Sequence, residues 1–123
     1  MAKSDDSAFQ ISRRGNVTII RPAPEIESMR WDLIEQAAEF VLQPIRDQEV
    51  PLVLIDLNHV NYFGSVFLSL LLRCWKLVST RGGMMVLCGV SERARELLTV
   101  TALDTLWAIY DSEQEALAVL ESE

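Results

Sequence analysis

The sequence predicts an α/β protein with a mixed, mostly parallel sheet, an antiparallel hairpin at its edge and four helices, in the order ββαβαβαβα. Three observations carry this prediction. Two β-rich runs joined by a short turn open the chain, two continuous apolar runs follow, and helical patterns separate and follow those runs. Half of the 123 residues are hydrophobic, so we interpret 1–123 as a single domain with a real core.

The hairpin strands are predicted at 9–12 and 17–21, where apolar and β-branched residues are concentrated. The residues Arg13-Arg14-Gly15-Asn16 between them are typical of the short turn of an antiparallel hairpin. Pro22 cannot donate to a sheet ladder and is expected to end the second strand.

A first helix is predicted from Ser28 to about Gln43, because polar residues recur every three or four positions and apolar residues fill the other face. Trp31 belongs to that apolar face, so we expect it in the core. The helix is expected to end at Pro44 or shortly afterwards.

The runs Leu52–Ile55 and Met84–Cys88 are apolar throughout, which is typical of strands covered on both faces of a parallel sheet. A loop at 58–64 separates the first of them from a helix that begins near Ser65 and stops at Gly82-Gly83. One polar stripe runs along this second helix, formed by Ser65, Ser69, Arg73, Lys76 and Thr80.

The last third of the chain predicts two helices and one strand. Ser91 is expected to cap a short helix that reaches about Thr99. A short strand follows at about 106–110. Ser112 and Glu115 then form the S-x-x-E capping box that starts the last helix.

The net charge of −7 argues against nucleic acid as a partner, because phosphate binding needs clustered Lys and Arg. The charge is unevenly distributed along the chain. Residues 57–91 contain three basic residues and no acid, whereas the regions on both sides are acidic. The middle region therefore suits an acidic partner surface.

Several features favour a cytoplasmic location. Residues 1–8 are expected to form a flexible tail, and they lack the apolar stretch of a secretory signal. Arg73 and Lys76 interrupt the most apolar stretch, so no membrane span is expected. Cys74 and Cys88 lie in apolar surroundings and are interpreted as reduced, buried thiols.

Enzymatic chemistry has little support in the sequence. At the carboxyl ends of the strands, His59 could act as a base oriented by Asp56, and Ser65 or Cys88 could act as a nucleophile. The chain has one histidine and contains no nucleophile elbow, glycine-rich phosphate loop or zinc motif. We favour local structural roles for these side chains and expect no catalytic residue, no metal and no cofactor.

Phe67 lies in the first turn of the second helix, a place that is usually at the surface. We interpret it as an apolar anchor of a protein-binding surface. The alternative is that its position, about 200° from Ser65 around the helix, turns the ring inward and makes it an ordinary core residue.

The stretch from Leu54 to Ser91 resembles the STAS domains, a family that includes the anti-sigma factor antagonists and the cytoplasmic domains of sulfate transporters. The resemblance rests on Leu54-Ile55-Asp56-Leu57-Asn58, Tyr62-Phe63-Gly64-Ser65 and Met85-Val86-Leu87-Cys88-Gly89-Val90-Ser91. It extends over about residues 9–120 and implies the same mixed sheet with a hairpin edge and four helices.

The resemblance implies a switch without enzymatic activity. In the antagonists, a Ser or Thr at the start of the second helix is phosphorylated by a kinase that is also the anti-sigma factor, and the unphosphorylated form binds that kinase. The family motif there reads Asp-Ser-(Ser or Thr)-Gly-Leu-Gly. In this chain Gly64 stands at the Asp, Val66 at the phosphorylated residue, Phe67 at the first Gly and Ser69 at the second.

Valine has no hydroxyl to accept phosphate, so we expect the switch to be lost. The alternative is that Ser65 is the phosphorylation site instead. Neighbouring residues on a helix point about 100° apart, which favours loss over this replacement. Ser65 would then be a plain N-cap.

The leading hypothesis is therefore a non-enzymatic regulatory module that docks a protein through the loop 58–64 and the start of the second helix. The partner would be an anti-sigma factor or serine kinase-like protein, or another STAS domain. The predicted contact residues are Asn58, His59, Gly64, Ser65, Val66, Phe67, Ser69 and Arg73. Two alternatives stay open: a structural STAS subunit of a larger signalling assembly, with a homodimer as one form, and a domain that binds a small molecule such as a nucleotide.

Overall fold

The computed structural model describes residues 8–122. Its strands and helices are β1 (Phe9–Arg14), β2 (Val17–Pro22), α1 (Ile34–Arg46), β3 (Leu52–Asp56), α2 (Ser65–Thr80), β4 (Met84–Cys88), α3 (Glu92–Val100), β5 (Ala108–Tyr110) and α4 (Glu113–Glu121). The predicted order ββαβαβαβα is confirmed. The predicted flexible tail lies outside the described residues except for Ala8, whose carbonyl oxygen accepts a hydrogen bond from the Ala23 amide at 2.8 Å.

The five strands form one sheet in the order β1-β2-β3-β4-β5, with β1 antiparallel to β2 and all other pairs parallel. Right-handed crossovers between strands that follow one another in one direction place their helices on one face of the sheet. The packing agrees, because residues of α1, α2 and α3 share one apolar cluster with Val53 and Ile55 of β3. Helix α4 packs on the opposite face, in a second cluster with Leu54 and Val86, which pair in adjacent strands.

The first helix begins later than its pattern predicts. Met29 (φ −59°, ψ 136°) and Arg30 (φ −103°, ψ 151°) are extended, so the chain forms two short 3-10 turns, Pro24–Ser28 and Trp31–Leu33, before α1 starts. Trp31 therefore lies outside the amphipathic helix, and 59% of it is exposed. The expectation that Trp31 is a core residue is wrong.

The predicted helix ends are mostly confirmed. The Ser91 hydroxyl accepts a hydrogen bond from the Ala94 amide, and the Ser112 hydroxyl accepts one from the Glu115 amide, both at 3.1 Å. After α2 the Gly83 amide donates to the Val78 carbonyl at 2.9 Å. These contacts satisfy polar backbone groups that a helix end leaves free.

Cys74 and Cys88 are free, buried thiols, as predicted. Trp107 is buried just before β5, which is shorter than predicted. Within residues 8–122, no helix is long and apolar enough to cross a membrane.

Candidate functional site

The loop 58–64 leaves the carboxyl end of β3, next to the loop that follows β4. The pairing of the two strands continues to the start of the loop, since the Leu57 amide donates to the carbonyl of Cys88, the last residue of β4, at 2.9 Å. Gly89 has a left-handed φ of 67°, and a β-carbon there would lie 2.4 Å from the side-chain amide carbon of Asn58. Only glycine combines this backbone conformation with such a close approach.

Five contacts hold the loop in one shape. Asp56 Oδ1 accepts hydrogen bonds from the Asn58 amide at 3.0 Å and from Asn58 Nδ2 at 2.6 Å. The Val60 amide donates to the Leu57 carbonyl at 3.0 Å. The two contacts with α3 come from the Ser91 hydroxyl, which donates to the Asn61 carbonyl, and from Arg93, whose guanidinium lies 4.6 Å from the Tyr62 ring centre.

Asp56 is a buried acidic residue that lies beneath this loop. Arg21 makes two hydrogen bonds to the Glu113 carboxylate, at 2.9 and 3.1 Å, and its Nε lies 3.7 Å from Asp56 Oδ2. Burial of Asp56 works to raise its pKa, but hydrogen bonds, among them those from Asn58 and from the Cys88 thiol, outweigh burial and hold the pKa below its ordinary value. The cluster thus joins β2, β3 and α4 beneath the loop.

This arrangement leaves the alternative of a catalytic site without support. The two Asp56 oxygens face Asn58 and Arg21, so they are unavailable to orient the exposed His59. Burial and the nearby Asp56 charge raise the pKa of Cys88 to about 12, and burial raises that of Cys74 to about 12. Both cysteines are therefore neutral thiols near pH 7 and poor nucleophiles.

The start of α2 differs from the prediction in its cap. The N-cap residue is Gly64, in an extended conformation, and Ser65 is the first helical residue. The expectation that Ser65 is a plain N-cap is therefore wrong. Ser65 is exposed at this end of α2, whereas Val66 is half-buried against the core.

Phe67 is a core residue, and its predicted role as a surface anchor is contradicted. Its exposed fraction is 2%. Its ring lies 5.1 Å from the Phe63 ring, edge to face, and 6.2 Å from the Phe9 ring. Phe9 comes from the hairpin edge and Phe63 from the loop, so both cover a helical turn that the sequence pattern alone leaves open.

The other predicted contact residues differ in their exposure and in their distance from the loop. Asn58, His59 and Ser65 are exposed, while Gly64 and Ser69 are partly buried. The Ser69 hydroxyl donates back to the Val66 carbonyl at 2.6 Å. Arg73 lies farther along α2, where its Nη1 is 3.3 Å from Glu35 Oε2 of α1.

Asn61 and Tyr62 lie in the predicted docking loop 58–64 but were not among the named contact residues, and Arg93, which contacts this loop, was not predicted at all. Asn61 is exposed, and Tyr62 is half-buried beneath the Arg93 guanidinium. The available signal was the rule that loops after neighbouring parallel strands meet at one edge. Applied to 58–64 and to the start of the helix after Ser91, that rule brings the two segments together.

A second feature bears on the small-molecule alternative. An open cleft of about 660 Å³ lies at the opposite edge of the sheet, next to the starts of β3 and β4. Arg13, Asp47 and Glu49 border it, so its charges have both signs and do not complement a nucleotide phosphate. Within residues 8–122, no cluster of three or more His, Cys, Asp or Glu is arranged to hold a metal ion.

Comparison with known proteins gives consistent matches. The sequence pattern of the STAS domain matches residues 8–116. The chain is 25% identical over 113 residues to the anti-sigma F factor antagonist of Paenibacillus polymyxa, covering 92% of this chain and 94% of that protein. An anti-sigma-factor antagonist (STAS) domain protein from Planctomyces limnophilus has 34% identity and a TM-score of 0.82, covering 92% of this chain and 97% of that one.

The unphosphorylated anti-sigma factor antagonist SpoIIAA shares the fold, with 18% identity and a TM-score of 0.77 over 94% of this chain and 98% of that one. The five-stranded sheet with its antiparallel β1–β2 pair and the four helices fit these neighbours. The family pattern also spans nearly all described residues. The chain belongs to the STAS domain family.

Proposed function

We propose that this chain acts in the cytoplasm as a non-enzymatic anti-sigma factor antagonist that binds an anti-sigma factor or serine kinase-like protein. The docking edge comprises the loop 58–64 and the first turn of α2. The names of the Paenibacillus relative and the Planctomyces structure support this class of function. Both names refer to antagonists of anti-sigma factors, which are proteins, so we expect this chain to bind a protein.

One structural observation carries the choice of surface. The loop is fixed from below by Asp56 and from the side by Ser91, while Asn58, His59 and Asn61 are exposed. A loop that is already ordered loses little conformational entropy when a partner binds. Its polar groups can therefore contribute to affinity and specificity.

The proposal includes the absence of the phosphorylation switch. Val66 occupies the position that carries the phosphorylated hydroxyl in the family motif, and it has no oxygen. Ser65 offers a hydroxyl, but it is displaced by one residue around the helix. The chain would therefore remain able to bind its partner whether or not the kinase has ATP.

Binding is tested by isothermal titration against purified kinase-like anti-sigma factors from the organism that encodes this chain. We expect Asn61→Arg, which adds a long charged side chain on the loop, to weaken binding at least tenfold. The matched control is Asn16→Arg in the exposed β1–β2 turn, which should leave the affinity unchanged. Equal losses in both variants would contradict the docking edge, and binding only to other STAS domains would favour the structural-subunit alternative.

The lost switch is tested by mass spectrometry after incubation with the partner kinase and ATP. We expect the mass of the natural chain to stay unchanged. Val66→Thr restores a hydroxyl in nearly the same shape and should gain one phosphoryl group, also when Ser65 is replaced by Ala. A phosphate on Ser65 of the natural chain would contradict the proposed loss.

A further inference from the structure

The turn Trp31–Leu33 carries an exposed apolar pair that the docking edge does not include. The exposed fractions of Trp31 and Leu33 are 59% and 51%, and only one residue separates them. Exposed aromatic residues next to a second apolar side chain are typical of protein-binding surfaces.

The turn is ordered, so its exposure does not come from a frayed segment. Ile26 just before it is 1% exposed and belongs to the core. The Leu33 amide donates to the Arg30 carbonyl at 3.1 Å. The Arg30 guanidinium donates two hydrogen bonds to the Asp32 carboxylate, at 3.0 and 3.1 Å, which orients the two residues that flank Trp31.

Contacts of residues that flank the segment locate the turn relative to α2. The segment begins after Pro22, which pairs with Phe9, and the Phe9 ring lies 6.2 Å from Phe67 in the first turn of α2. It ends before Glu35, which forms the ion pair with Arg73 two turns farther along α2. One end of the segment thus lies beside the strand residue that packs on the first turn of α2, and the residue after its other end pairs with the middle of α2.

The charge around the apolar pair differs from that of α2. Residues 23–36 contain four acids and one base, whereas residues 57–91 contain three bases and no acid. The acids are Glu25, Glu27, Asp32 and Glu35, all exposed. Asp32 is paired with Arg30 and Glu35 with Arg73, whereas Glu25 and Glu27 form no ion pair among the described residues. A partner that covers Trp31 therefore meets these two carboxylates, and complementarity calls for Lys or Arg around its apolar pocket.

We infer that Trp31 and Leu33 are the apolar anchor of the docking surface, and that they insert into an apolar pocket bordered by Lys or Arg on the anti-sigma factor. This inference rests on the proposed function and extends its surface from the loop 58–64 across the start of α2 to the turn 31–33. Trp31 then has the role that the sequence analysis assigned to Phe67. Aromatic residues in a desolvated pocket dominate the energy of many interfaces.

The test is the same titration with Trp31→Ser, compared with Val100→Ser at the end of α3, where Val100 is 80% exposed. We expect Trp31→Ser to weaken binding at least tenfold and Val100→Ser to leave it unchanged, with unaltered unfolding midpoints in both. We also expect added salt to weaken binding by the natural chain more than binding by the double variant Glu25→Gln/Glu27→Gln.

Each other result would overturn the inference. If Asn61→Arg weakens binding and Trp31→Ser does not, the loop docks the partner without the turn, and the proposed function stands alone. If no anti-sigma factor binds, both fail together. If Trp31→Ser instead turns a dimer into a monomer in analytical ultracentrifugation, the occupant is a second copy of this chain.

Discussion

The first turn of α2 and the turn Trp31–Leu33 lie on the same side of the sheet, and each carries an aromatic ring in opposite surroundings. Phe67 is covered by Phe9 and Phe63, whereas most of Trp31 faces solvent. The sequence analysis favours the reverse for both rings: the hydrophobic pattern assigns Trp31 to the core, and the place of Phe67 in a first helical turn favours the surface, although its angle around the helix leaves a core position open. Helical spacing shows which residues share a face, but it does not show what covers that face.

The largest effect expected from this comparison is on stability. Phe67→Ala should lower the free energy of unfolding by about 3–5 kcal/mol, because it leaves a cavity between two other rings. Trp31→Ala should change it by less than about 0.5 kcal/mol, since an exposed side chain loses little packing. Urea titrations monitored by far-UV circular dichroism measure both. Similar losses in the two variants would show that the turn 31–33 belongs to the core.

The acid stability of the two regions should also differ. Asp56 has a lowered pKa in the folded chain, so its stabilising contribution is present above the unfolded pKa, near 3.8, and is lost as the pH falls through the lower folded value. Asp56→Asn should reduce stability at pH 7 by about 1–3 kcal/mol, because it leaves hydrogen-bonding groups of Arg21 and Asn58 poorly matched. This variant should also lose less stability than the natural chain as the pH falls below about 4.

Asp32→Asn in the exposed turn is the matched control for Asp56→Asn. Its carboxylate pairs with Arg30 at the surface, where an ion pair contributes little. In urea titrations between pH 2 and pH 7, we expect the stability of Asp32→Asn to fall as steeply at low pH as that of the natural chain. If Asp32→Asn loses as little stability at low pH as Asp56→Asn, the acid sensitivity does not come from the buried Asp56.

Substitutions of two glycines at the proposed docking edge are expected to have effects of opposite sign, and that of Gly64 is the smallest. Gly89→Ala should cost about 1–3 kcal/mol, because its φ of 67° disfavours other residues and its β-carbon would meet Asn58. Gly64→Ser should raise stability by a few tenths of a kcal/mol, approximately the difference between these residues as N-caps. A β-carbon at Gly64 meets no atom within 4 Å. Thermal unfolding measures both changes. A lower unfolding midpoint for Gly64→Ser would contradict the expected gain from a serine N-cap.

Most of the fold was predictable because its signals are local and agree with one another. The apolar runs of β3 and β4 are the length of buried strands, and the serines before α3 and α4 satisfy amides within three residues. The exposure of Asn58, His59 and Ser65 was predictable too, since a polar loop and a helix start lie at the surface. The contact of Arg93 with Tyr62 was not predicted, because it joins the loop after β3 to the helix after β4.

The sequence by itself determined the element order, which residues share a hydrophobic face and the absence of a hydroxyl at Val66, because each depends on residues close together in the chain or on a single side chain. Tertiary structure decided the environments of Phe67 and Trp31. Phe67 is buried by a residue 58 positions earlier in the chain as well as by its neighbour Phe63, and Trp31 is exposed because two extended residues end one 3-10 turn before it. Burial depends on which distant surfaces meet, and that is a property of the folded chain.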